Sequence, residues 1–432
     1  MQGKLNLFQA TMLRWRELYP YNAVHVVTVG QALEPARLKA EIDGTLQSAG
    51  LTGFVLDRRR ARYEYRGGRA AVDVAILAGG ADALRMEEQE IERQLNLPLP
   101  PDGALQPFRF FAIDTGGTFR LGLAYDHFIA GGDSIAVLLQ KLVLGYRLGA
   151  TAGAAPWTPR LYPRTYTRLF LRHAGHALSG LRRLPALAAS CKRSWRAPCE
   201  VGGDARIGFL SRRVAAADYA SLVRATREWG ITRNDLFLAL LLSALAAVMP
   251  KRSMTQRRHE LGVAAIVNVR GEFEADAAAT FGQFLASLRV SHPVPPGIGL
   301  RELAQAIHVE TDRGKTEKLY LQSLLALAWA ALAWRFLKPE QRRGFLAKHY
   351  PIWAGVSSLN VDALWREPGS SAAAPEYLRA VPTGPLAPIV FAITTLDSVM
   401  RLGVSYRCAD VSEERAAAIA TEFLRLAQSL AR

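Results

Sequence analysis

The stretch AYDHFIAGGDS, residues 124–134, places a histidine, two glycines and an Asp-Ser pair within eleven positions. In the preceding segment FRLGLAY, residues Phe119, Leu121, Leu123 and Tyr125 alternate onto one face of a strand, and the same period carries His127 onto that face. An imidazole leaving a strand end toward an apolar interior stays neutral near pH 7 and can take a proton from an alcohol or amine. The same placement suits a histidine that only fills a core, so the pattern alone leaves both readings open. Gly131 and Gly132 let the following turn bend sharply.

Other chemistry is excluded by spacing. The GKT at 314–316 lacks the first glycine of a phosphate-binding loop, because position 309 is Val. His173 and His176 lie three apart with no third ligand in sight and are expected to be surface residues rather than a metal site. GDSI at 132–135 is similar to an esterase nucleophile block, but none of the eight histidines follows an Asp by three places, as that chemistry requires. Cys191, Cys199 and Cys408 are odd in number and unpaired in spacing. Together with an N-terminus that lacks a signal peptide's apolar core, they predict a cytoplasmic protein without a disulfide framework.

The elements that must position His127 alternate between strand and helix. AVHVVTV (23–29) reads as a strand, and a helix with Pro35 near its start runs to about Ser48. GFVLD and ARYEYR form a hairpin, MEEQEIERQLN a charged helix, and FRFFAID and FRLGLAY two strands joined by TGG. DSIAVLLQKLVLGYRL is a helix for which Asp133 or Ser134 is the expected N-cap, and the loop GATAGAAPWTPR follows. In the second half DLFLALLLSALAAVM reads as a buried helix, GVAAIVNV as an interior strand and PIVFAITTLDSVMRLGVSY as a hairpin. Ser412, Glu413 and Glu414 open a last helix whose Ile419, Phe423, Leu426 and Leu430 share a face.

At 432 residues the chain can hold two mixed α/β halves, and its hydrophobic share of 50% excludes disorder. A formal charge of +16 favours acidic partners. Between the halves, Arg160, Arg164, Arg168, Arg172, Arg182, Arg183, Lys192, Arg193 and Arg196 occur with no Asp or Glu among residues 160–196. This stretch is either a solvated linker helix or a docking face for an acidic carrier or anionic lipid; nucleic acid is not expected, because no recognised binding module accompanies the charge. Residues 319–337, LYLQSLLALAWAALAWRFL, are interrupted by Gln322, Ser323 and Arg335 and are expected to form a helix buried in a large core, with peripheral membrane contact as the second reading.

DHFIAGG at 126–132 resembles the H-H-x-x-x-D-G motif of condensation domains and CoA-dependent acyltransferases, the superfamily that includes chloramphenicol acetyltransferase. Looser likenesses follow in the family's order: YNAVHVV to its first strand, TRNDLFLALLLSAL to its T-x-N-D helix, IVNVR to its N-x-R strand, FGQFLASLRV to a later strand and GVSSLN to its V-S-N-L-G segment. The resemblance implies a pseudo-dimer of two chloramphenicol-acetyltransferase-like subdomains around a central tunnel. The halves would be residues 1–160 and 201–432, with 161–200 as a basic linker.

By the same resemblance His127 is the general base and Gly132 leaves room for substrate. Asp126 stands at the first histidine's place, and Gly131 at that of the motif aspartate, whose usual partner would be Arg270. Asp133, two residues on, is expected to cap its helix instead. Asp126, Gly131, Gly132, Ser357, Ser358 and Asn360 are the implied substrate-contacting positions; Ser358 replaces the family's Asn and Asn360 its Gly. The co-substrate would be acyl-CoA or a phosphopantetheinyl thioester on an acidic carrier, with no permanently bound cofactor or metal and an alcohol or amine as acceptor. A monomer is expected. Two functions compete: an acyltransferase with a trimmed motif, or a degenerate member that binds a carrier or acyl chain or runs a cyclisation or dehydration.

Overall fold

The computed structural model describes residues 1–70, 72–149, 157–199, 203–249, 253–273, 276, 279–334, 336–365 and 376–431, with the side chains of 81, 339 and 340 also left aside. Most of the expected loop 149–160, and Arg335, lie outside the described residues.

Two sheets organise the chain. The first has five strands in the order Tyr377–Ala380, Asn22–Val29, Phe119–Asp126, Phe108–Asp114, Val74–Ala78. Phe119–Asp126 is central, antiparallel to both neighbours, and apolar on both faces. Phe119, Leu121, Leu123 and Tyr125 share one core with Leu38, Ile42 and Leu46 of helix Pro35–Ser48 and with Ile135, Leu138 and Leu142 of helix Gly132–Leu148. Ala124 turns to the opposite face, against Phe111, Ile113 and helix Ala83–Asn96.

The second sheet has six strands, in the order Ile207–Val214, Val399–Arg407, Ile389–Leu396, Ala354–Asn360, Leu261–Asn268, Leu285–His292. Helices Arg233–Val248, Leu300–Thr316 and Glu413–Gln428 cover it. Thr232 and Asp235 form a capping box at the first of these helices, which satisfies its orphan N–H groups from both sides.

The halves are interlocked. Strand Tyr377–Ala380, late in the chain, joins the first sheet by pairing antiparallel with Asn22–Val29, which sets Arg379 opposite His25. Arg160–Leu161 pairs in return with Thr280–Phe281. Helix Ala83–Asn96 spans the join, with Asn96 donating to and accepting from Ile207 (2.8 Å each) and Glu88 accepting from the Ser211 N–H (2.6 Å).

Three expectations are corrected. The N-cap of helix Gly132–Leu148 is Gly131, not Asp133 or Ser134, although Asp133 Oδ1 accepts from the Ser134 N–H in its first turn at 2.8 Å. The basic stretch is not one solvated helix but three short ones, Thr167–Arg172, Ala174–Leu181 and Leu184–Arg193, on which Leu171, Leu178, Leu181 and Leu184 are exposed. The apolar segment after residue 319 gives helix Tyr320–Ala333, yet only Tyr320, Leu321 and Leu324 in it are buried; Trp329 is 70% exposed and Phe336 beyond it 82%. Among the described residues no single helix is long and apolar enough to cross a membrane.

Candidate active site

A cavity of about 560 Å³ lies between the halves. From the first half it is lined by Trp15, Tyr21, His25, Tyr125, His127 and Gly132, and from the second by Ile266, Leu285, Ser357, Ser358, Arg379 and Leu386, among others. It continues past Ala326 and Ala330 of helix Tyr320–Ala333 to the exposed Leu181, Leu184 and Trp329. Apolar side chains form most of its wall, which suits an acyl chain or another apolar ligand.

His127 is 6% exposed and its ring rests against Tyr21 and Tyr125 at 5.7 and 5.8 Å between centroids. Its Nδ1 is buried and has no hydrogen-bond partner among the described residues, and the residue lines the cavity. Burial, reinforced by the field of the Arg379 guanidinium, holds the imidazole down at about 4, and it is therefore neutral at pH 7.

The loop carrying it is held from outside. Gln283 Nε2 donates to the His127 carbonyl and to that of Ala130 (2.7 Å), and Gln9 Nε2 donates to that of Phe128 (3.2 Å). The Gly131 N–H donates to Gly282 O at 2.9 Å and the His127 N–H to Tyr21 O at 3.2 Å. Gln283 is fully buried and gave no chemical signal in the sequence, because its role depends on a loop more than 150 positions away in the chain.

Asp133 carries the carboxylate that Gly131 lacks. Its Oδ2 accepts from Arg270 Nε at 2.6 Å and from Asn268 Nδ2 at 3.1 Å. A Cβ placed at Gly131 would stand 3.0 Å from Asp133 Oδ1, so the acid fills space that a side chain at 131 would enter. Arg270 also donates to Ser134 Oγ (2.8 Å) and lies 4.0 Å over the Phe284 ring. The expected arginine is thus in place, and the expectation that Asp133 serves only as a cap is overturned. A helix already capped by the Gly131 turn leaves that carboxylate free to pair across the join.

The other predicted positions separate into two groups. Gly132, Ser357 and Ser358 line the cavity, and a Cβ on Gly132 would meet Arg379 Nη1 at 3.3 Å and His25 Cε1 at 3.5 Å. Asp126, Gly131 and Asn360 are not brought to it. Asp126 is buried against Arg16, and burial pushes its carboxyl up to about 6 against the pull of that guanidinium. Asn360 Oδ1 accepts from the Asp362 N–H at 2.7 Å and so caps a short helix. His173 is no free surface group either: its Nε2 lies 2.7 Å from Glu272 Oε2, and among the described residues no His, Cys, Asp and Glu cluster fits a metal ion.

Two lining residues were not anticipated. His25 is buried, with Nδ1 2.8 Å from Tyr377 Oη and burial holding its pKa well below the ordinary value. Arg379 is 3% exposed and arrives on the exchanged strand.

No family model matches this sequence, and neither does any curated protein. Solved structures do match. The first condensation domain of the calcium-dependent antibiotic synthetase, in complex with a substrate analogue, aligns over 100% of this chain and 97% of its own at 16% identity, with a TM-score of 0.68. The chain has the condensation-domain fold. The starter condensation domain of rhizomide synthetase, bound to C8-CoA, aligns over 100% of this chain and 95% of its own at 15% identity and a TM-score of 0.68. An epimerization domain of tyrocidine synthetase aligns over 100% and 96%, at 12% identity and a TM-score of 0.63. The two-subdomain architecture expected for this fold is therefore present over the full described chain, with the cavity at the join.

Proposed function

We propose that this condensation-fold protein is an acyltransferase that moves an acyl group from a CoA or carrier-protein thioester to a hydroxyl or amine, with His127 as general base. The observation that carries the reading is a neutral, solvent-shielded imidazole facing an apolar cavity on a loop fixed from both halves. In the reaction the acceptor gives its proton to His127 Nε2 as its oxygen or nitrogen attacks the thioester carbonyl. The tetrahedral oxyanion meets the N-terminal turn of helix Gly132–Leu148, whose first two residues line the cavity. Collapse expels the thiolate, which takes the proton back, leaving an ester or amide and a free thiol.

The competing reading, a degenerate partner subunit or a non-transfer enzyme, drew its force from the missing motif aspartate. Asp133 pairs with Arg270 instead, and this supports the active enzyme. The relatives bound to C8-CoA or a substrate analogue support a thioester donor here. The cavity mouth presents exposed Leu181, Leu184 and Trp329, and the stretch that supplies the two leucines also carries Arg182, Arg183 and Lys192, which supports peripheral contact with anionic lipid at the inner face of the membrane. The protein acts in the cytoplasm as a monomer in this reading.

Incubation with panels of acyl-CoAs and acyl-carriers, followed by mass spectrometry of thioester loss and product gain in wild type and His127→Ala, tests the proposal. Transfer confined to wild type is expected. Equal turnover by the variant, or none by either with any donor, overturns it.

A further inference from the structure

Among the described residues that line the cavity, two carry a full charge, Asp133 and Arg379. Asp133 is neutralised by Arg270. Arg379 has no such partner among the described residues: its Nε donates to Thr394 Oγ1 (2.9 Å), and its Nη2 to the carbonyls of Ser357 (2.6 Å) and Ile393 (3.0 Å). These acceptors hold the guanidinium in place but bring no negative charge. Nη1 has only Ser357 Oγ, at 3.3 Å. It lies beside the gap that Gly132 keeps open, next to His25. Burying a cation without an anion is costly, and the cost is recovered when a ligand supplies one. Guanidinium presents its N–H groups in a planar fork that matches a carboxylate.

We propose that Arg379 anchors the free carboxylate of the acceptor, so that the substrate class is an amino acid or hydroxy acid whose amine or hydroxyl is presented to His127. This rests on the acyl-transfer reading above. It separates the acceptor from one delivered as a carrier-bound thioester, which has no carboxylate to offer.

The first test needs no turnover. Decanoate, decanamide and 1-decanol are titrated calorimetrically into the full chain and into Arg379→Gln and Arg379→Lys. Wild type is expected to favour decanoate over both neutral ligands by at least tenfold. Arg379→Gln removes the preference while leaving decanamide binding unchanged, and Arg379→Lys keeps part of it. Equal affinity of wild type for all three, or an undiminished preference in Arg379→Gln, overturns the site.

The second test compares leucine with leucinamide as acceptors for an acyl-CoA. A KM raised at least tenfold by Arg379→Gln for leucine alone supports the assignment. A kcat lost equally with both acceptors at unchanged KM would instead place Arg379 on the oxyanion and sink the carboxylate site. If no acceptor is acylated yet the decanoate preference holds, the acyl-transfer reading falls and the anion site stands.

Discussion

Each half of the molecule turns a central hairpin strand into a helix through five residues, 127–131 after Phe119–Asp126 and 408–412 after Val399–Arg407. The second loop is held largely by its own residues. Ser412 caps helix Glu413–Gln428 by accepting from the Arg415 N–H, Glu413 and Glu414 suit the helix dipole, and Arg407 pairs with Asp410 within the same turn. The first loop does little of this for itself. Its cap is a glycine, its Asp133 is drawn off to Arg270, and Gln283 and Gly282 of the other half hold its backbone. One turn is therefore a self-contained helix start. The other is a mount, positioned by whatever closes the cavity, and it carries the imidazole.

The largest break in this comparison is His127→Ala, expected to cut transfer by at least about 100-fold, the lower end of what a general base contributes. Some stability should be lost as well, because the buried ring packs against Tyr21 and Tyr125, so transfer is compared per folded molecule. The same residue sets the pH profile. Its folded pKa is lowered to about 4, so the reactive neutral form persists as pH falls and protonates only near that value. Stability gained by keeping the ring neutral is present above its ordinary pKa of about 6.5 and is lost as pH falls through about 4. At pH 5, kcat/KM should retain nearly all its pH 7 value, where an ordinary histidine would have lost about 25-fold. An acid limb centred near 6.5 would refute the buried neutral base.

In the second loop, Asp410→Ala leaves Arg407 buried without its carboxylate and should cost about 3 kcal/mol of stability by denaturant titration. Transfer per folded molecule should not change. If it does, the two loops are not as separate as their contacts make them.

Asp133→Ala acts on the mount. Its pair with Arg270 is slightly more open to solvent, so about 2 kcal/mol is expected, less than a fully buried pair costs. Unlike Asp410→Ala it should also lower kcat. Moving the acid back, as Gly131→Asp with Asp133→Ala, should restore both, because a side chain at 131 enters the space the Asp133 carboxylate now fills. A double variant no better than Asp133→Ala would show that the two positions are not equivalent.

Helix starts with a local cause were legible in the sequence: Pro35 at the head of its helix and Ser412 ahead of two glutamates. So was the inward aim of His127, because strand alternation is a two-residue rule. What escaped was whatever depends on distant chain. Asp133 read as a cap because its true partner lies 137 residues away. Arg379 and the strand Tyr377–Ala380 had no signal, since a four-residue strand completing another half's sheet edge shows no periodicity of its own. The 319–337 segment was misjudged for the opposite reason: apolar composition reports affinity for an apolar partner, and here much of that surface faces outward at the cavity mouth.

The smallest effect gives the sharpest contrast between the loops. Ser412→Ala removes one cap bond and should cost about 1 kcal/mol, visible as a lower denaturant midpoint at unchanged slope, with no effect on transfer. A matched change in the first loop has no cap bond to remove, because Gly131 offers none. Ser134→Ala there should act otherwise. Its hydroxyl accepts from Arg270 Nη2 and donates to Gly282 O, so its loss loosens the join that holds the histidine loop rather than the helix it begins. A similar stability loss with kcat untouched in both variants would mean that the first loop, too, is only a helix start.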